Sequence, residues 1–185
     1  MVRACDASDF DAILSIINDG ADAYRGVIPA DRWKEPYMPA DELRDEIGHG
    51  VMFSGLEEDG GLIGVMGVQN VADVALIRHA YVRGVRQGRG VGGMILQHIM
   101  ERTERPLLIG TWAAARWAIG FYEKHGFILI EGREKDRVLK LYWSIPDRQI
   151  ETSVVLADPR WLAKNPQSRA PESDPDDPPD GPREK

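Results

Sequence analysis

The stretch from Val74 to Arg102 allows the chain few folds. VALIRHAYV, residues 74–82, is apolar enough and long enough for a strand. It runs directly into a loop holding Arg83, Gly84, Arg86, Gly88, Arg89, Gly90, Gly92 and Gly93. A helix over 91–102 follows, with Met94, Ile95 and Ile99 on one face. A strand that turns abruptly into a helix exposes the first backbone N–H groups of that helix. Glycines at 88, 90, 92 and 93 let the backbone approach a ligand closely and permit positive φ, so that successive N–H groups converge. The helix dipole adds partial positive charge. Together these features make a cradle for an anion such as phosphate.

The remaining elements make one α/β domain. A short strand over 2–5 precedes a helix with Phe10, Ile13, Leu14, Ile17 and Ala21 at helical spacing. Residues 24–39 contain three prolines together with Tyr24, Trp33 and Tyr37, and read as a loop. Ala40 to His49 reads as a polar helix with Leu43 and Ile47 inward. Two apolar runs within 51–71 flank Glu58-Asp59-Gly60-Gly61, a hairpin signal. After the 91–102 helix, LLIGTW at 107–112 is a strand, Ala113 to His125 a helix, FILIEG at 127–132 a strand, REKDRVLKLYWSIP a short helix, and ETSVVLA at 151–157 a last strand. The expected fold class is a mixed α+β sheet with helices packed on it. The domain is expected over 1–160. The acidic, proline-rich segment 161–185 has too little apolar content to offset its ordering entropy and is expected to be disordered.

The anion cradle can be compared with known phosphate loops. A Walker loop needs Gly-Lys-Ser/Thr, which is missing here. Gly88-Arg89-Gly90-Val91-Gly92-Gly93 fits a dinucleotide fingerprint letter by letter, but the next strand ends in Gly110-Thr111-Trp112 without the acid such a site needs. A third pattern, Gln/Arg-x-x-Gly-x-Gly/Ala, is filled by Gln87-Gly88-Arg89-Gly90-Val91-Gly92. Downstream stands Phe121-Tyr122-Glu123-Lys124-His125-Gly126-Phe127, which has the form Tyr-x-x-x-Gly-Phe. On these two motifs, in this order, the chain resembles the GCN5-related N-acetyltransferases, the GNAT superfamily. The resemblance covers 2–157 in element order and is motif-specific over 76–131.

The resemblance implies a mostly antiparallel sheet, splayed at the cofactor site, with helices on both faces. It implies acetyl-CoA as co-substrate, its pyrophosphate held by the backbone of Gln87, Gly88, Arg89, Gly90, Val91, Gly92 and Gly93, with Arg83 and Arg89 near the phosphates. Val82 would pair with the pantetheine arm. Tyr122 would be the general acid: a phenol, with an ordinary pKa near 10, protonates a departing thiolate while staying neutral itself. The family often has Asn where Ala115 stands, so a cofactor contact from that position is not expected.

The general base is not evident. Alternation puts Leu76, Arg78, Ala80 and Val82 on one strand face and Ile77, His79 and Tyr81 on the other. The first face offers no carboxylate or imidazole. His79 has suitable chemistry, but faces away unless a bulge re-aims it. Glu57 and Asp73 are weaker candidates, and deprotonation through water is an alternative. On the acceptor side, Tyr24, Trp33 and Trp112 are expected to line a pocket. Arg78 would anchor a carboxylate on the acceptor.

Composition narrows the partners. The chain has 185 residues, 43% of them hydrophobic, and a formal net charge of −7, which disfavours nucleic acid and anionic membranes. No apolar run reaches the ~20 residues of a membrane span. Cys5 is the single cysteine, expected buried and structural. No apolar signal-peptide core opens the chain, so a reducing cytoplasm is expected. His49, His79, His98 and His125 have no metal-ligand spacing, so no metal is expected. A homodimer through an edge strand supplied by 138–157 is expected. The expected function is acetyl transfer from acetyl-CoA to the amine of a small molecule. The alternatives are a protein or peptide acetyltransferase and a non-catalytic acyl-CoA-binding module.

Overall fold

The computed structural model describes residues 1–169. Seven strands form one sheet: β1 Val2–Ala4, β2 Val51–Glu58, β3 Gly61–Val71, β4 Val74–Val82, β5 Leu107–Trp112, β6 Ile128–Ile130 and β7 Ser153–Ala157. Their spatial order is β1-β2-β3-β4-β5-β7-β6. Every pairing is antiparallel except β4 with β5. Helices cover both faces: α1 Phe10–Ala21, α2 Ala40–Gly48, α3 Val91–Arg102, α4 Arg116–Lys124, α5 Gly132–Tyr142, α6 Asp147–Thr152 and α7 Pro159–Lys164.

The apolar pattern of each strand sorts its residues between the two faces. Ala75, Ile77, Leu107 and Ile109 pack with Ile95 and Ile99 of α3 and Ile119 of α4. The alternating residues Val74, Leu76 and Leu108 pack with Val138 and Leu139 of α5 and Trp161 of α7. Val51, Phe53 and Val65 sit on that second face, under Ile13, Ile16 and Ile17 of α1 and Leu43 of α2. Ile16 and Ile17 are fully buried, each contributing roughly 1.5–3 kcal/mol over an exposed position. A capping box starts this region: Asp6 accepts the Ser8 N–H at 2.8 Å and Asp9 accepts the Asp6 N–H at 2.9 Å.

Five features depart from the sequence-based expectation. First, β7 runs between β5 and β6, paired on both sides. The 138–157 segment therefore offers no edge strand for a dimer; the edges are β1 and β6. Second, the fold continues past 160. Asp158 caps α7 by accepting the Trp161 N–H, Pro159 occupies its first turn, and Trp161 and Leu162 are buried. The folded part runs through the 3-10 turn Pro166–Arg169, and the rest of the expected tail, 170–185, lies outside the described residues. Third, α4 begins at Arg116, because the Ala113 N–H bonds to Thr152 carbonyl and Ala115 is non-helical. Fourth, on α2 only Leu43 is buried, whereas Ile47 is 39% exposed and Glu46 turns toward the sheet. Fifth, Cys5 is only half-buried; burial nevertheless pushes its thiol up to about 11.

Candidate active site

β4 and β5 pair only at Ala75–Leu107, Leu76–Leu108 and Ile77–Ile109. Beyond that point β4 stays with β3 as far as Val82, while β5 stays with β7 as far as Trp112. The two strands therefore part, and a cavity of about 820 Å³ opens between them. Val82 stands at its edge with a distinctive backbone. The Arg83 N–H donates to the Ile63 carbonyl at 3.0 Å, which makes Arg83–Ile63 a hydrogen-bonded antiparallel pair. The adjacent pair, Val82–Gly64, is then a non-bonded one, and the Val82 N–H and carbonyl point away from β3 into the gap. The Gln87 side-chain amide donates to that carbonyl at 3.2 Å.

The loop after Val82 is one 3-10 turn, Gly84–Arg86, followed by Gly88 and Gly90 at φ 74° and 81°. These left-handed conformations require glycine or strain another residue. The Gln87 N–H is already bonded to the Gly84 carbonyl, so Gln87 does not offer its amide to a ligand as expected. The N–H groups of Gly88, Arg89, Gly90, Val91, Gly92 and Gly93 have no partner among the described residues. They form an unbroken run at the α3 N-terminus. Gly93 serves close packing: a Cβ there would stand 2.9 Å from His125 Nε2 of α4. The loop is tethered elsewhere. Asp19 accepts the Gly84 N–H at 2.7 Å, Arg83 donates to Leu62 carbonyl and Ser15 Oγ, and Arg86 pairs with Glu58 at 2.8 Å. Arg83 is thus occupied with protein, and exposed Arg89 is the loop cation without a partner among the described residues.

Tyr122 is buried on the opposite wall, on α4, and lines the same cavity. Phe121 and Phe127 meet its ring edge-on at 4.9 and 5.8 Å. Burial, with a further push from Tyr24, drives its phenol well above the ordinary value and keeps it protonated. Tyr24 also lines the cavity, its ring 6.1 Å from Tyr81 and 5.2 Å from Trp117. Burial pushes Tyr24 up to about 12. Trp112 lines the cavity as expected. Trp33 does not: it stacks behind Tyr37 at 5.4 Å with the Arg25 guanidinium over its ring. Trp143 and Ile145, between α5 and α6, line the far side, and Arg148 of α6 pairs with Asp31 at 2.9 Å on the surface.

Strand alternation fails at His79. Val65 pairs with Tyr81 and Gly67 with Arg78, so His79 and Ala80 together oppose Met66. This bulge puts His79 at φ 49°, an uncommon backbone for a non-glycine residue. Ala80 keeps the α3 face, while His79 turns to the α1–α2 face, its ring stacked on Phe53 at 6.1 Å. There His79 Nε2 meets Glu46 Oε2, and Arg78 Nη2 donates to Glu46 Oε1 at 3.1 Å. Arg78 Nη1 donates to Gln69 at 2.8 Å. Arg78 is therefore spent on Glu46 and Gln69, and the expectation that it holds an acceptor carboxylate loses its support. Burial works against Glu46 ionising, but the hydrogen bond from His79 and the charges of Arg78 and Lys34 outweigh it and hold the carboxyl below its usual range. Both His79 and Arg78 line the cavity. Of the expected site residues, the gap thus gathers Val82, Gln87, Gly88, Gly90, Val91, Gly92, Gly93, Tyr122, His79, Arg78, Tyr24 and Trp112, whereas Arg89 and Trp33 do not line it. Glu46 was missed; its one signal was its place three residues after inward Leu43. Glu57 is tied to Arg3 and Asp73 to Tyr142, and neither lines the cavity. Among the described residues no group of three metal-ligating side chains occurs, and no helix is long and apolar enough to cross a membrane.

An acetyltransferase (GNAT) domain model matches residues 50–129. Among curated proteins none matches. Among solved structures, a PaiA N-acetyltransferase from Thermoplasma acidophilum in complex with coenzyme A is 16% identical, with a TM-score of 0.64, over 85% of this chain and 97% of its own. The ribosomal-protein-S18-alanine N-acetyltransferase from Escherichia coli is 18% identical, TM-score 0.59, over 94% of this chain and 97% of its own. YncA from Salmonella typhimurium, a putative acetyltransferase solved with acetyl-CoA, is 19% identical, TM-score 0.57, over 71% and 80%. At these identities the likeness is one of fold.

Proposed function

We propose, on the match of an acetyltransferase (GNAT) domain model to residues 50–129, that the chain moves an acetyl group from acetyl-CoA to the amine of a small molecule. The observation that carries this reading is the edge of the gap itself. There the Val82 peptide groups face the gap beside a run of six N–H groups, without a partner among the described residues, at a helix N-terminus, with a buried phenol on the facing wall. Gly88 to Gly93 hold the pyrophosphate through backbone N–H groups, aided by the α3 dipole and Arg89. Val82 pairs with the pantetheine arm, displacing the Gln87 side chain. The acetyl carbon then lies in the gap between His79 and Tyr122.

His79 takes a proton from the acceptor ammonium, leaving a neutral amine. Its nitrogen attacks the thioester carbon, the C–N bond forms, and an oxyanion develops. As the C–S bond breaks, the Tyr122 O–H gives its proton to the thiolate, and the proton remaining on nitrogen restores the phenol. Net, one N–H hydrogen ends on sulfur, and the proton taken by His79 passes to solvent, which restores the base. Burial keeps the Tyr122 phenol protonated through the neutral range, so its O–H is present when the thiolate departs. Apolar and aromatic walls from Tyr24, Trp117, Trp143 and Ile145 suit a small acceptor. The test is release of CoA thiol from acetyl-CoA across amines, amino acids and short peptides. Turnover of small amines above the hydrolysis blank is expected. Turnover of peptides alone moves the acceptor to the protein class. Binding of acetyl-CoA without any turnover leaves an acyl-CoA-binding module.

A further inference from the structure

We propose that Glu46 of α2 is a positioning residue for His79: it fixes the imidazole tautomer and plane that allow the ring to accept the proton of the acceptor ammonium. The proposal rests on the acetyl-transfer reading above.

The geometry is specific. His79 Nε2 reaches Glu46 Oε2, and a carboxylate oxygen accepts, so Nε2 carries the hydrogen. The lone pair is left on Nδ1, the only ring atom able to take a proton. Phe53 stacks on the ring at an interplanar angle of 26° and restricts its rotation. The other carboxylate oxygen is held by Arg78, itself fixed by Gln69. Each group is therefore oriented by the next, and the last one lines the cavity that holds Tyr122. The bulge supports the same point. Without it, two-residue alternation would turn His79 toward α3. The chain instead accepts a positive φ at a non-glycine residue, which brings His79 beside Arg78 on the α2 side. Strain of this kind persists only where the surroundings over-determine it. A mere ion pair for Glu46 would need no such backbone, since Arg78, ahead of the bulge on β4, already supplies one.

The test combines variants with acceptors of graded basicity. In Glu46→Gln and in His79→Gln, kcat for a strongly basic primary amine should fall about 10–100-fold, with the KM for acetyl-CoA unchanged. The loss should shrink to about threefold or less for 2,2,2-trifluoroethylamine, which arrives largely neutral and needs no base. A role confined to stability would lower both acceptors alike. In ¹⁵N-labelled wild-type protein the His79 imidazole should show the Nε2–H tautomer, and in Glu46→Gln a mixture. Equal kcat in wild type and Glu46→Gln, or an equal loss for both amines, overturns the proposal while leaving acetyl transfer intact. A wild-type protein silent with every acceptor overturns the acetyl-transfer reading and the positioning role with it.

Discussion

The two ends of the gap between β4 and β5 are made of different material. At the Val82 end the working atoms belong to the backbone: a carbonyl and a row of N–H groups, shaped by glycines and a helix start within a dozen consecutive residues. At the bulge end they belong to side chains, Glu46, Gln69, Arg78 and His79, brought together from three elements up to 33 residues apart. Backbone suits an invariant ligand, since every chain offers the same N–H group and conformation alone selects it. Side chains suit a proton, whose transfer needs a titratable group aimed within a fraction of an ångström. One end therefore tolerates side-chain changes outside its glycines, and the other tolerates almost none.

The largest effect should come where the two ends meet. Tyr122→Phe should lower kcat by about 10²–10⁴ while changing acetyl-CoA affinity less than about twofold, read by thiol release and by calorimetry. Because burial raises the Tyr122 pKa in the fold, the phenol remains protonated as pH climbs through the ordinary tyrosine range near 10. The wild-type rate should therefore show no loss from this group between pH 8 and pH 10; a falling limb there would put the acid elsewhere. Next in size is Gly93→Ala. Its Cβ would stand 2.9 Å from His125 Nε2, so either the imidazole swings off its Nδ1 contact with the Phe121 carbonyl or α3 moves off α4 and carries the N–H groups with it. Melting should drop by the equivalent of about 1–3 kcal/mol, and the acetyl-CoA KM should rise about tenfold with kcat little altered. Gly90→Ala, at φ 81°, should cost about 1 kcal/mol and raise the same KM several-fold. Smallest is Arg89→Ala. This exposed cation should change the KM by about two- to fivefold, and the difference should vanish in ~1 M salt. If Arg89→Ala outweighed Gly93→Ala, the cradle would be a side-chain site after all and the contrast would fail.

The same contrast explains how far the sequence could be read. The cradle was legible because its signal is local: strand, glycines and helix follow one another within residues 74–102, and Tyr122 stands in a motif of its own. The Glu46–His79 contact was not. Strand alternation sends His79 to the wrong face, and only the cross-strand pairing with β3, where Met66 faces two residues, reveals the bulge. No period in β4 itself encodes it. On α2 the apolar spacing nominated Ile47, yet the helix turns Glu46 inward because a charged partner there outweighs one more half-buried isoleucine. The place of β7 failed for a related reason. Sequence order suggested an outer strand, but the α5–α6 connection carries the chain back across β6, and adjacency in a sheet depends on that crossing. Trp161 was misjudged with the tail because composition was averaged over a window that mixed α7 with the polar residues beyond it.

The placement of β7 also shapes how this molecule meets copies of itself. By taking the interior position, β7 leaves the margins of the sheet to β1 and β6, each three residues long. A free margin is a template on which another chain can add a strand, and its hazard grows with its length. Here a sheet seven strands wide tapers to stubs that offer a newcomer one or two hydrogen bonds, too few to hold it. The long strands of the sheet are spent on the cavity, and its margins are left to its shortest ones.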